Sequence, residues 1–276
     1  MIPLIQKKTF LPHLTQESLL FYFVYFLLIN SSYSSSKIAT LSLSATQFPY
    51  IMADVVYIKV RENHRVVSKS CHIAVGISND GQREIIGFMI QEGESEESWS
   101  TFFESLKERD LTGLQLVISD AHKGLIAAVR KNFTNVAWQR CQVHFLRNIL
   151  SKVPKKESKD FRESVKTLFR LTSIETARTM KNHLIEEYID QPKYIRACET
   201  LDEGFEDAFQ YTVAGRGYNR LKSTNLLERL NQEVRRREKV IRIFPNHASA
   251  NRLIGAILMD KNDEWLSSTR KYISAS

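Results

Sequence analysis

The stretch that most constrains this chain runs Leu-Gln-Leu-Val-Ile-Ser-Asp-Ala-His-Lys-Gly, from Leu114 to Gly124. Its first half is a short apolar run of the kind that becomes a buried strand. Asp120 stands where the chain would leave the sheet, ahead of Gly124 and a helical pattern over Leu125–Phe133. In an open α/β sheet, groups at the carboxyl ends of strands face the crevice where ligands bind. A carboxylate at that point is a candidate functional group, and the surrounding elements decide what kind of sheet carries it.

Ile51–Val60 and Ser68–Ser78 read as strands, the first rich in β-branched residues. Asn79-Asp80-Gly81 then forms a tight turn into a third strand, Gln82–Gln91, which is a hairpin signal. Ser95–Leu111 carries Trp99, Phe102, Phe103 and Leu106 at helical spacing, with Ser95 as N-cap and acids in the first turn. Asn135–Phe145 reads as a fifth strand leading into another helix. Three strands, a helix, a strand, a helix and a strand predict an α/β fold, an antiparallel meander followed by parallel crossovers. That is the order of a ribonuclease H-like mixed sheet flanked by helices.

From Pro154 to about Tyr211 the pattern is helical, in Phe161–Leu171, Ser173–Tyr188 and Tyr194–Phe209. The expected organisation is a first catalytic part at 49–153, an all-helical insertion at 154–213 and closing helices at 214–276. In Thr224–Arg237 an apolar stripe of Leu226, Leu227, Leu230 and Val234 leaves Glu228, Asn231 and Arg235 on the opposite face. Ile241–Pro245 breaks that helix, and His247–Trp265 forms the last one.

Residues 1–48 read differently, as an atypical leader or remnant. Leu19–Ile29 is an unbroken apolar run of eleven residues, short of the roughly 20 that a membrane span needs. A signal peptide, with Lys7 and Lys8 as its charged start, is the alternative to a leader that is helical around Gln16–Leu28. The leader is the preferred reading. Three scattered cysteines (Cys71, Cys141, Cys198) form no disulfide framework, which fits a reducing cytosol.

The formal charge of +8 is concentrated: Ala214–Arg242 holds nine Lys/Arg against three Glu. Such an excess is either a phosphate-contacting surface or a solvated helix face. Asp54 lies inside a strand, where an acid is costly to bury without a partner; it is either functional or on an exposed face. Asp54, Asp120 and Glu228 together suit magnesium, which takes hard oxygen ligands and keeps several waters. Two such ions can activate an attacking oxygen and stabilise a leaving one. Among 31 acids, spacing alone singles out no triple.

The motifs are more specific. Ser119-Asp-Ala-His-Lys-Gly124, Cys141-Gln-Val-His144, and Thr224-Asn-Leu-Leu-Glu-Arg-Leu-Asn-Gln-Glu-Val-Arg-Arg-Arg237 followed by Ile243-Phe-Pro-Asn246 resemble the Mutator-type transposases of bacterial insertion sequences, from about Pro49 to Trp265. The resemblance implies a DDE triad on a ribonuclease H-like fold that cuts and joins DNA. By motif the acids fall on Asp54, Asp120 and Glu228, at intervals of 66 and 108 residues, as catalytic groups and ligands of two Mg2+ (or Mn2+) ions. Glu233, in the same helix, is the rival for the third. Water would attack in nicking and a freed 3′-hydroxyl in joining, with no protein nucleophile.

Cys141 and His144 are spaced like half a zinc site without its second pair. The resemblance includes this pair near the acids, in a supporting role; His122, two residues after Asp120, is a further supporting candidate, either a DNA contact or an exposed turn residue. Lys123, Arg235, Arg236, Arg237 and Lys239 are the expected DNA-backbone contacts. Implied partners are element-end and target DNA and further copies of the chain, with no membrane and no small-molecule cofactor, in a nucleoid-associated cytoplasmic protein. The first fifty residues do not resemble the family's end-recognising region, so the expectation is a catalytic core without its specificity module. The alternative is a transposition-incompetent DNA-binding or assembly protein derived from such an element.

Overall fold

The computed structural model describes residues 38, 40–214 and 219–273; the helix expected at 16–28 lies outside them. Five strands, β1 (Tyr50–Glu62), β2 (Arg65–Ile77), β3 (Arg83–Gln91), β4 (Leu116–Ser119) and β5 (Ala137–Arg140), form one sheet in the order β3-β2-β1-β4-β5. β1, β2 and β3 are antiparallel neighbours, while β4 runs parallel to β1 and β5 parallel to β4. The sheet is thus mixed, with the meander and crossovers in the expected order.

Both faces are covered, which is why Cys71–Ile77 of β2 is buried throughout. On one face lie α1 (Glu96–Lys107) and α2 (Lys123–Asn132), whose Trp99, Phe102, Phe103 and Val129 pack on Ile51, Ala53 and Val117. Ser95 starts α1 through a capping box with Ser98. On the other face lie α3 (Gln142–Ser151) and two later helices, against Met52, Val56 and Ile58. Strand alternation therefore turns Asp54 to this second face, between Met52 and Val56.

Between β5 and the next long helix come α4 (Lys159–Leu168), α5 (Ile174–Tyr188), α6 (Ile195–Gly204) and two 3-10 stretches, Glu206–Ala214 and Asn219–Lys222. Buried Gln139 of β5 ties this segment to the sheet. Its Nε2 donates to Ala208 O and its Oε1 accepts from Tyr211 N, both at 2.7 Å. α7 (Asn225–Ile241) and α8 (His247–Leu266) then close the second face, and Asn262 of α8 accepts the Ile85 N–H of β3 at 2.7 Å.

Several element ends shift by a few residues from the sequence reading, and two of the shifts bear on the site. β5 ends at Arg140, because Cys141 takes the N-cap position of α3 instead of continuing the strand. α7 runs past Arg237 to Ile241 and reverses at Arg242, whose φ is 62°. The reversal lets Phe244 pair with β1 where β4 no longer covers it: Phe244 N donates to Lys59 O and its O accepts from Arg61 N, both at 2.8 Å. Among the described residues no helix is long and apolar enough to cross a membrane.

Candidate active site

The β1–β4 register pairs Met52 with Ile118, so Asp54 and Asp120, each two residues further on, come together where β4 stops. Val55 N–H donates to Asp54 Oδ1 at 2.9 Å, and His122 N–H donates to Asp120 Oδ1 at 3.2 Å. Burial, with the charge of Asp120 adding to it, pushes the Asp54 carboxyl up to about 6; the Val55 N–H opposes this.

α7 supplies the other half. Asn231 Nδ2 donates to Asp54 Oδ2 at 2.7 Å, although 177 residues separate the two. The bond fixes α7 on the face to which Asp54 turns. Asn231 is 5% exposed, and among the described residues its buried Oδ1 has no hydrogen-bond partner. Glu228 precedes it by three residues, one turn along the helix. The Glu228 carboxylate meets His144 Nε2 at 3.1 Å and Arg147 Nη1 at 3.0 Å, both from α3.

His144 is pushed towards its protonated form. The Cys141 sulfur beside it, then the charges of Asp54 and Glu228, outweigh burial and raise it to about 9. Burial pushes the Cys141 thiol up, but hydrogen bonds from His144 and Thr224 together bring it below its ordinary value. Thr224 N and Oγ1 lie 3.4 and 3.3 Å from that sulfur, so the start of α7 is tied to the start of α3. Cys141 and His144 thus lie between the start of α7 at Thr224 and the Glu228 carboxylate.

His122 faces a fourth acid that the sequence reading missed. Glu94 lies 3.4 Å from His122 Nδ1 and accepts from Trp99 Nε1 and Tyr57 Oη, each at 3.1 Å. A shallow cleft of about 380 Å3 opens in front of Asp120, His122 and His144, and Arg140 and Asn148 line it too. Arg140 and Arg147 are further cations that no local pattern marked out. Lys123, Arg235, Arg236 and Lys239 are exposed, and Arg236 pairs with Glu233 at 2.8 Å. Arg237 is half-buried in the same turn. Glu233 itself is half-buried and engaged with Arg236, whereas Glu228 stands one turn from Asp54's partner.

Among the described residues no three His, Cys, Asp or Glu side chains are arranged as a metal cage. The donor set nonetheless suits a hard divalent cation. Asp54 and Asp120 are two oxygen donors forced together, and the amide oxygen of Asn231 is an orphan acceptor on the first of them.

Comparison with known proteins agrees on one family. The profile described as transposase, Mutator family, matches residues 35–268. The chain is 72% identical over 232 residues to the transposase for insertion sequence element IS256 in transposon Tn4001 of Staphylococcus aureus, covering 84% of this chain and 60% of that protein. It is 38% identical to the transposase for insertion sequence element ISRM5 of Rhizobium meliloti, over 81% of this chain and 56% of that one. It is 35% identical to the transposase for insertion sequence element IS1081 of Mycobacterium tuberculosis, over 84% and 55%. The chain thus spans 60% or less of the length of these relatives.

Proposed function

The chain belongs to the Mutator family of transposases, and we propose that it is a DNA-cleaving and strand-joining core with a ribonuclease H-like sheet and a DDE triad of Asp54, Asp120 and Glu228. The observation that carries this reading is the Asn231–Asp54 hydrogen bond, which brings the helix of Glu228 onto the acid-bearing face of the sheet. Asp54 and Asp120 would hold a divalent cation, magnesium or manganese, with Glu228 completing the set; two ions are expected. When bound, such ions stabilise the charge that develops as a phosphodiester is attacked.

The chain's own groups do the positioning. Asn231 orients the Asp54 carboxylate, while His144 keeps a proton on the side of Glu228 and, with Arg147, holds that carboxylate beside the cleft. Arg140, which lines the cleft, and exposed Lys123, next in sequence after His122, are phosphate contacts, and Arg235, Arg236, Arg237 and Lys239 add further cations along α7. Water attacks in nicking and a DNA 3′-hydroxyl in joining; no side-chain nucleophile is required. The helices at 154–213 are an insertion between the second and third acids, and the partners are element-end DNA, target DNA and a second copy of the chain on paired ends.

A second reading, a DNA-binding or assembly protein without catalysis, rests on Glu228 being engaged by Arg147 and His144. A nicking assay on element-end duplex with magnesium separates the two. The parent is expected to nick and Asp120→Ala to be inactive. Equal activity of both would remove the catalytic assignment, and inactivity of both would favour the second reading.

A further inference from the structure

Beside the first turns of α7, away from the acids, the structure holds a cleft of about 510 Å3 lined by Arg83, Arg220, Arg229, Arg270 and Lys271. Among the described residues five cations line it and no carboxylate does. They come from four places in the chain: the start of β3, the second 3-10 stretch, α7 and the segment after α8. Among the described residues none of the five makes a salt bridge of its own.

The arrangement is built, not incidental. The Arg83 guanidinium packs 4.7 Å from the Trp265 ring and 5.7 Å from that of Tyr272, and Arg220 lies 5.3 Å from Tyr272 while donating to its carbonyl at 2.7 Å. These aromatic rings hold the arginines in place, and the acids whose charge reaches Arg83 and Lys271, Glu264 and Asp80, are not among the residues that line the cleft. Arg220, Arg229, Arg270 and Lys271 are all exposed. The lining offers charge and guanidinium forks but no set of groups for reading base edges, which suits a run of phosphodiesters.

We propose that this cleft is a second DNA-backbone site, seating the phosphates of a duplex on the flank of α7 opposite the acids. Arg229 directly follows Glu228, so the cleft and the acid-bearing side share one turn of the helix. The proposal rests on the reading of the chain as a DNA-processing protein but not on its metal chemistry.

The test is fluorescence anisotropy of the full chain with a labelled duplex, in EDTA, across a salt series. The triple variant Arg229→Gln/Arg270→Gln/Lys271→Gln is compared with Lys155→Gln/Lys156→Gln/Lys159→Gln, which removes the same charge from exposed lysines elsewhere. Matched thermal unfolding midpoints establish that both fold. The cleft variant is expected to bind at least about tenfold more weakly near 0.1 M salt and to flatten the salt slope by about 2–3; the control is expected to stay near the parent. Loss on both terminal-repeat and unrelated duplexes assigns the cleft to backbone in general. Loss on one alone assigns it to element-end or target DNA. Equal affinities and slopes for the two triple variants overturn the proposal, and a parent that still nicks element ends in magnesium then leaves the catalytic reading standing.

Discussion

At the scale of single residues, Asn231 shows how one amide can decide the geometry of a site. Its Nδ2 carries a hydrogen bond to Asp54, the proposed metal ligand, and deleting a group that orients such a carboxylate typically costs 10–100-fold in metal affinity or activity. Asn231→Ala is therefore expected to weaken manganese binding, read by calorimetry, and magnesium-dependent nicking by about that range. Unchanged isotherms would show that Asp54 needs no support from α7. The sequence pattern placed Asn231 with Glu228 on the polar side of its helix, because an amide reads as a solvent group; only the packing of α7 on β1 buries it. Glu94 was missed for a related reason, since it leaves β3 in a turn and gains its partners from three other segments. His72 gives the pH prediction. Buried against Trp99 with ring centroids 4.3 Å apart, it is held down at about 4 by burial, against an ordinary 6.5. Its neutral form favours the fold, so that stability is complete above about pH 6.5 and is lost as pH falls through about 4, roughly 3 kcal/mol in all. Asp54 acts oppositely, since its ionisation opposes folding above about pH 6 and the cost is relieved as pH falls towards 3.8. Urea midpoints across this range should fall less steeply for His72→Phe than for the parent; parallel curves would remove His72 as the cause.

Between elements, close approach matters more than propensity. α2 begins against the N-terminus of α1, and a Cβ on Gly124 would lie 2.7 Å from both Glu96 N and Ser95 C, which are backbone atoms that cannot swing aside. Gly124→Ala is expected to cost about 1–3 kcal/mol of stability, measured by urea denaturation, and to disturb the loop that presents Asp120. Gly93→Ala is the control, since nothing lies within 4 Å of its added Cβ; equal midpoints for the two variants would contradict the steric account. The elements themselves were legible wherever a local signal existed. The aromatic spacing of α1 with its Ser95 cap, the Asn79-Asp80-Gly81 turn and the apolar stripe of α7 all follow from the residues alone. What stayed hidden was tertiary. β5 stops at Arg140 because Cys141 turns into α3, and α7 gains its last turn because Phe244 returns to pair with β1. Neither the hydrogen bond of Gln139 to Ala208 nor that of Asn262 to Ile85 has any short-range signature.

Across the whole molecule, the acids come from β1, from the end of β4 and from α7, segments that meet only in the folded chain. On the proposed reading a hard cation held by them would have no comparable site in the unfolded chain, so its binding would raise stability by mass action, about 2.7 kcal/mol at a concentration one hundred times Kd. The metal-free protein meanwhile compensates its own charge. His144 and Arg147 sit on Glu228, and Asp54 is held towards its protonated form. Cation binding therefore competes with a proton on Asp54 and with the Arg147 pair, which predicts a larger thermal shift at pH 8 than at pH 5.5, because Asp54 is ionised only above about 6. Magnesium or manganese should raise the unfolding midpoint of the parent and leave that of Asp54→Asn unmoved, while Arg147→Ala, which frees a carboxylate from a largely exposed partner, should respond at lower cation concentration. A shift of equal size in the parent and in Asp54→Asn would mean that the ions bind elsewhere, and the proposed triad would then lose its metal chemistry.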